Sequence, residues 1–369
     1  MKILQLGKFY PVRGGVEKVM YDLTVGLSER GIYCDMLCAS TEDYPAETIV
    51  LNEYAKVMVM PTAMKLAATM LAPAMIKRLR QIAQYYDVVH IHHPDPMAAL
   101  ALYMSGYKGK VLLHWHADIL KQKALLKLYE PLQAWLIKRA DRIVGTSPVY
   151  VAESPFLKAV QDKVNYIPIG IRELASDTEK VDAIRGKYVN KTIIFSLGRL
   201  VEYKGYEYLI RSAALLDDSF HILIGGKGPL EGHLMKLIGE LGVANKVSLL
   251  GYIADEDMGS YYKAADIFCL SSIWKTEAFA IVQLEAMAFG KPIVSAHIPE
   301  SGVSWVNQDG SSGLQVQRES PQELADAFKK IADDSSLYQR LAVGSRKRYE
   351  SYFTRDKMID KSLEIYCKL

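Results

Sequence analysis

"IFCLSSIWKTEAFAIVQLEAMAFGKPIVSA", residues 267–296, holds two short apolar runs, IFCLSS and KPIVSA, on either side of a helix-length stretch. The middle segment, AIVQLEAMAF, is closed by Gly290, a residue suited to the left-handed turn that ends helices. Strand, helix and strand in that order make a parallel βαβ unit, with sheet strands buried on both faces. The same alternation recurs outward from it, as KILQLG, CDMLCAS, VVHIHH, KVLLHWH and RIVGTS in the first half and TIIFSLG, FHILIGG and KVSLLGY in the second. It predicts an α/β chain with two doubly wound, Rossmann-like domains facing a central cleft. A length of 369 residues suits two domains. Residues 168–191 are polar and without strand character, so the domains are placed at 1–175 and 176–352.

Composition narrows the function. The net charge of +3 gives no field strong enough to make nucleic acid the default partner. Cys34, Cys38, Cys269 and Cys367 form no C-x-x-C pair and suit a reducing, cytoplasmic setting. The opening MKILQLGKFY reads as a strand and not as a signal peptide. Thr62–Tyr86 is interrupted by Lys65 and Pro73, too early to span a bilayer. With the stretch from Lys121 to Arg142 it is expected instead to form helices lying on the inner membrane surface.

In open α/β sheets a ligand sits beyond the carboxyl ends of the strands. After the first strand, Gly14 and Gly15 precede a helical pattern, where a bare backbone and a helix N-terminus favour a phosphate. Neither this turn nor LIGGKGPL, which has Glu231 at the third glycine's place, fits the dinucleotide or Walker patterns. Arg199 and Lys204 follow the first strand of the second domain, a fork and a point charge able to neutralise a diphosphate. Glu277 is expected at the start of the quoted helix and Glu285 two turns inside it, as two ligand sites rather than one carboxylate pair. The free amides of Phe279, Ala280 and Ile281 face an anion there. Asp255-Glu256-Asp257 has the form of a metal-holding D-x-D, but as the start of a helix it reads as acidic capping. His90, His92, His93, His114 and His116 suggest zinc by number, yet no complete ligand set accompanies them, and no metal is expected.

Taken in order, Gly14-Gly15, HWHADIL with His116, GRLVEYKG, GGKGPL and E-x7-E at Glu277 and Glu285 resemble the retaining, nucleotide-sugar-dependent glycosyltransferases of the GT-B architecture, family four. The resemblance spans nearly the whole chain, and residues 353–369 look like its helix that crosses back to the first domain. It implies that Glu285 holds the ribose, Glu277 a sugar hydroxyl, Arg199 and Lys204 the diphosphate, Gly15 the phosphates through its backbone, and His116 the sugar near the anomeric centre. One departure is Ala280, where the family usually has glycine. The resemblance further implies same-face attack with retention, no cofactor or metal, and a saccharide acceptor. Its local wording is similar to bacterial enzymes that add mannose from GDP-mannose in surface-polysaccharide assembly, with a lipid-linked acceptor expected. A UDP-sugar donor, a nucleotide-sugar epimerase and a non-catalytic sugar-nucleotide-binding protein stay open. An NAD-dependent enzyme is disfavoured by the missing glycine fingerprint.

Overall fold

The computed structural model describes residues 1–66, 69–119 and 123–369, the side chains of 123–126 excepted. The chain divides into two compact units, Met1–Gly170 with Arg355–Leu369, and Ile171–Thr354. The division falls at Gly170 because Ile171 already belongs to the second unit, its N–H donating to Phe353 O at 2.9 Å.

The strands of the first unit are β1 (Lys2–Tyr10), β2 (Tyr33–Ser40), β3 (Glu47–Asn52), β4 (Ala55–Met60), β5 (Met64–Leu66), β6 (Thr69–Leu71), β7 (Val88–His93), β8 (Lys110–Trp115), β9 (Arg142–Gly145) and β10 (Val164–Tyr166). Eight of them form one sheet in the order β10-β9-β8-β7-β1-β2-β4-β3. Only β3 runs antiparallel, hairpinned onto β4 at the edge. All six residues of β7 are buried, as a central parallel strand covered on both faces requires. Its alternation puts His90 and His92 on one face, and the register sets His92 opposite His114 of β8. The final helix, Arg355–Tyr366, packs into this unit. Gly26 permits the close approach, since a Cβ there would lie 1.9 Å from Ile359 Cδ1.

The second unit has β11 (Thr192–Leu197), β12 (Phe220–Gly225), β13 (Val247–Gly251), β14 (Ile267–Leu270), β15 (Ile293–His297) and β16 (Gly313–Gln317). They form an all-parallel sheet in the order β13-β12-β11-β14-β15-β16. Its core includes Ile194, Ile222, Val294, Phe328 and Leu341. The stretch read as a linker contains the helix Thr178–Lys187, capped by Asp177 and tied by Arg185 to Asp266 at 2.6 Å, so it is part of this unit's wall.

One expectation changes. Thr62–Tyr86 is not a surface helix: β5 and β6 make an antiparallel hairpin, and the helix Ala74–Ile82 turns Met75, Leu79 and Ile82 inward. Of the apolar side chains assigned to a membrane, Met70, Met75 and Leu79 are buried in this unit, whereas Met64 and Leu66 are exposed. Of the second such segment, residues 120–122 lie outside the described part. Its helix, Lys123–Arg139, buries Leu136 and Ile137 and leaves Leu128 at 82% exposure. No described helix is long and apolar enough to cross a membrane.

Candidate functional site

In the second unit the loop after β11 carries Gly198, the exposed Arg199 and a short turn, Glu202–Lys204. Lys204 is buried, with Nζ 2.5 Å from Glu277 Oε2. Burial alone would depress this ammonium, but the facing carboxylate more than offsets it and holds the pKa above its ordinary value. Ser272 Oγ, just past β14, donates to the same carboxylate oxygen at 2.8 Å, and Ser301 Oγ donates to the Glu277 carbonyl at 2.5 Å. The result is a buried, charged, hydrogen-bonded pair whose geometry is fixed from both sides.

The helix here is Ile281–Ala288. Glu277 therefore stands in the preceding loop, and Glu285 lies just over one turn inside the helix rather than two. The two acids keep separate partners: Tyr262 Oη donates to Glu285 Oε2 at 2.7 Å. Burial, and next the Glu285 charge, push the Tyr262 phenol far above its usual range, so it remains a donor. The N–H groups of Phe279 and Ala280, just before the helix, and of Ile281, which opens it, have no carbonyl to reach within the helix. Ala280 itself sits at φ 63°, ψ 79°. This left-handed conformation is one a glycine adopts freely and an L-residue holds at a cost of about 1–2 kcal/mol, which gives a backbone reason for glycine at this position. Arg199 forms no ion pair with a described carboxylate and leaves its guanidinium open.

In the first unit, Gly14 and Gly15 have φ 126° and 59° and open the helix Gly15–Ser28. No atom lies within 4 Å of a Cβ built on Gly14, so the glycine pair serves the backbone turn and leaves the helix start uncrowded. Glu17 stands in that first turn, and burial raises its carboxyl above the ordinary range despite Lys8.

His116, the residue after β8, is 4% exposed and joins a buried stack with His90, His92 and His114. Burial holds all four imidazoles well below their usual value, His114 at about 3, so they are neutral. Ring nitrogens of His90, His92 and His114 lie within 4.8 Å of one another. The planes of His90 and His114 are 2° apart and that of His92 is tilted by 27° and 26° to them, so the lone pairs run nearly side by side instead of converging as tetrahedral zinc requires. Asp255, Glu256 and Asp257 form the acidic first turn of the helix Asp255–Ala264, with Asp257 engaged by Lys180.

The structure thus joins Lys204 to Glu277, which the sequence reading kept apart, and adds Ser272, Ser301 and Tyr262. Ser271-Ser272 at a strand's carboxyl end was a visible signal for the first of these; Tyr262, on a different helix, had none.

Two family models match the chain: "Glycosyltransferase Family 4" over residues 13–173 and "Glycosyl transferases group 1" over residues 177–348. The O-antigen chain mannosyltransferase C of Escherichia coli is 32% identical over 373 aligned residues, covering 100% of this chain and 99% of that one. The D-rhamnosyltransferase WbpZ of Pseudomonas aeruginosa is 29% identical, covering 96% and 92%. Among solved structures, sucrose-phosphate synthase of Thermosynechococcus elongatus superposes with a TM-score of 0.80 at 18% identity, covering 100% and 99%. Anabaena HepE in complex with UDP superposes with a TM-score of 0.78 at 20% identity, covering 100% of both chains.

Proposed function

The chain belongs to the family 4 glycosyltransferases and has their GT-B fold of two Rossmann-like units, and from that premise we propose that it moves mannose from GDP-mannose to a lipid-linked saccharide during O-antigen or related surface-glycan assembly. The observation that carries this reading is the buried Lys204–Glu277–Ser272 group, beside an open Arg199 and a helix start with free amides. Such a group is built for a ligand with both hydroxyls and a diphosphate. Mannose and the O-antigen setting are supported by the full-length similarity to the Escherichia coli mannosyltransferase.

Arg199 and Lys204 stabilise the diphosphate as negative charge develops on the leaving group, with the amides of Phe279, Ala280 and Ile281 adding their dipoles. Glu277 accepts from a donor-sugar hydroxyl and Glu285 from the ribose. Gly15, with Gly14 shaping the turn, offers its backbone to the phosphates, and His116 meets the sugar. The acceptor hydroxyl attacks the face from which the nucleotide leaves, with a donor phosphate oxygen taking its proton, so configuration is retained. Two cations and the amides supply the positive potential, and no metal enters the scheme. A lipid-linked acceptor is supported by an apolar groove of about 240 Å³ in the first unit, lined by Leu66, Leu71, Met97, Leu100 and Leu128.

Thermal shift against a panel of nucleotide sugars tests the donor. At a hundredfold excess over Kd, GDP-mannose is expected to add about 2.7 kcal/mol of stability, unchanged by EDTA. A shift with UDP-sugars and none with GDP-mannose would move the assignment to a UDP-dependent transferase, and a shift abolished by EDTA and restored by manganese would reopen Asp255-Glu256-Asp257.

A further inference from the structure

The hydrogen bonds around Gln5, buried in β1, orient its amide. Cys34 Sγ and Tyr366 Oη, both able to accept, lie on one side of the amide. The Gln5 atom that meets them is the amide nitrogen, which donates to the sulfur at 3.6 Å and to the phenol oxygen at 3.2 Å. Reversing the amide would leave one of its two buried N–H groups without an acceptor. Tyr366 Oη also lies 2.6 Å from His90 Nδ1, so the final helix anchors the amide.

With the amide fixed, Gln5 Oε1 faces His92 Nε2 at 2.7 Å and demands a proton there. His92 is neutral, so its Nδ1 is bare and accepts from His116 Nε2 at 2.9 Å. His116 is neutral as well. Its proton is used on Nε2, and its buried Nδ1 is a lone pair without a partner among the described residues.

We propose that Gln5 is a positioning residue: through His92 it holds His116 in the Nε2–H tautomer, so that the ring presents an acceptor and takes a hydroxyl in preference to an anionic oxygen. A sugar hydroxyl has a proton to give to Nδ1, whereas a phosphate oxygen has none. The tautomer follows from this chain's own hydrogen bonds; its use in recognising sugar rests on the reading of His116 given above.

Ring-nitrogen NMR on the full chain labelled with ¹⁵N-histidine reads the tautomer without any ligand. His116 of the wild type is expected to be protonated on Nε2 and bare on Nδ1. Gln5→Leu releases it into a mixture of tautomers, and Gln5→Glu, whose carboxylate still accepts from His92 Nε2–H, keeps the wild-type pattern. In calorimetry, Gln5→Leu is expected to lower affinity for GDP-mannose about tenfold, the scale of one hydrogen bond, and to leave affinity for GDP unchanged. Gln5→Glu restores the ratio. A wild-type proton on Nδ1, or a tautomer indifferent to Gln5→Leu, overturns the proposal whatever the protein binds; where Gln5→Leu does not fold, the wild-type spectrum alone decides the polarity. A released tautomer with an unchanged ratio of GDP-mannose to GDP affinity overturns the positioning role. His116→Ala separates the causes: if it too leaves that ratio unchanged, the sugar-contact reading of His116 has failed while Gln5's hold on the ring stands.

Discussion

Lys204 and Glu277, 2.5 Å apart and both buried, act on each other before any ligand arrives. Removing Glu277 outright would strand a buried ammonium at about 3–5 kcal/mol, so an alanine there would disturb Lys204 and the diphosphate together. Glu277→Gln keeps a side chain of the same shape and an acceptor for Ser272. It is expected to spare GDP affinity and to weaken discrimination in favour of the intact sugar nucleotide. Glu285→Ala, by contrast, leaves ribose hydroxyls unmatched and is expected to weaken GDP itself by about 1–3 kcal/mol. Calorimetry of both variants with GDP and GDP-mannose checks this; equal losses of GDP in the two would end the division of labour. The pairing could not be read from E-x7-E, because the spacing gives positions on one segment while Lys204 arrives from a loop after another strand. Ala280 was visible as a departure, but the backbone reason for it is a φ of 63°, which no spacing displays.

Elements buried on both faces were the ones legible in the sequence. β7, β8, β11, β12 and β14 are short, mainly apolar runs buried along nearly their whole length, and a run of that kind admits few other structures. The β3–β4 and β5–β6 pairs lack a crossover helix and so carry no alternating signal; the methionines and leucines of the latter fit the helical period as well as the strand period. The membrane proposal therefore narrows to side chains that the fold leaves exposed. Leu66 on β5, Leu100 on the helix Pro96–Ser105, and Leu128 are exposed on the apolar groove, and Tyr103 and Met104 are exposed on the same helix as Leu100. Lys77 and Lys127 are exposed on neighbouring segments. A leucine that leaves water contributes about 1.5–3 kcal/mol, and each lysine near anionic lipid about 1 kcal/mol. Liposome co-sedimentation is expected to show binding to anionic vesicles, reduced at least about tenfold by Leu66→Asp with Leu128→Asp. Equal binding by the double variant, or none by the wild type at low salt, would remove this face from the membrane reading.

Across the whole molecule the ionisable groups are unevenly shared between the units, and that asymmetry has a consequence for acid stability. His90, His92, His93, His114 and His116 are all buried in the first unit, whereas of the second unit's histidines His233 and His297 are exposed and His221 alone is buried. The clustering was legible as VVHIHH and HWHAD, but its burial depends on the final helix, whose Tyr366 seals His90 from the far end of the sequence. In the folded first unit desolvation, aided by like neighbours, holds these imidazoles well below their usual value, and His114 at about 3. The unfolded chain titrates near the ordinary value of about 6.5. Below that point the unfolded state binds protons that the folded state refuses, so stability is retained above pH ~6.5 and lost as pH falls towards the depressed folded values. Each fully differential histidine contributes up to about 1.4 kcal/mol per pH unit, so five of them outweigh any one carboxylate pair. Between about pH 7.5 and about pH 5.5 the first unit is expected to lose stability well ahead of the second. Hydrogen exchange under a fixed urea concentration, followed by peptide, reports the two units separately. Protection should fall first in β1, β7 and β8 and persist in β11, β12 and β14. A first unit that holds its protection at the lower pH, or a second unit that opens before it, would show that the histidine stack is not kept neutral by the fold.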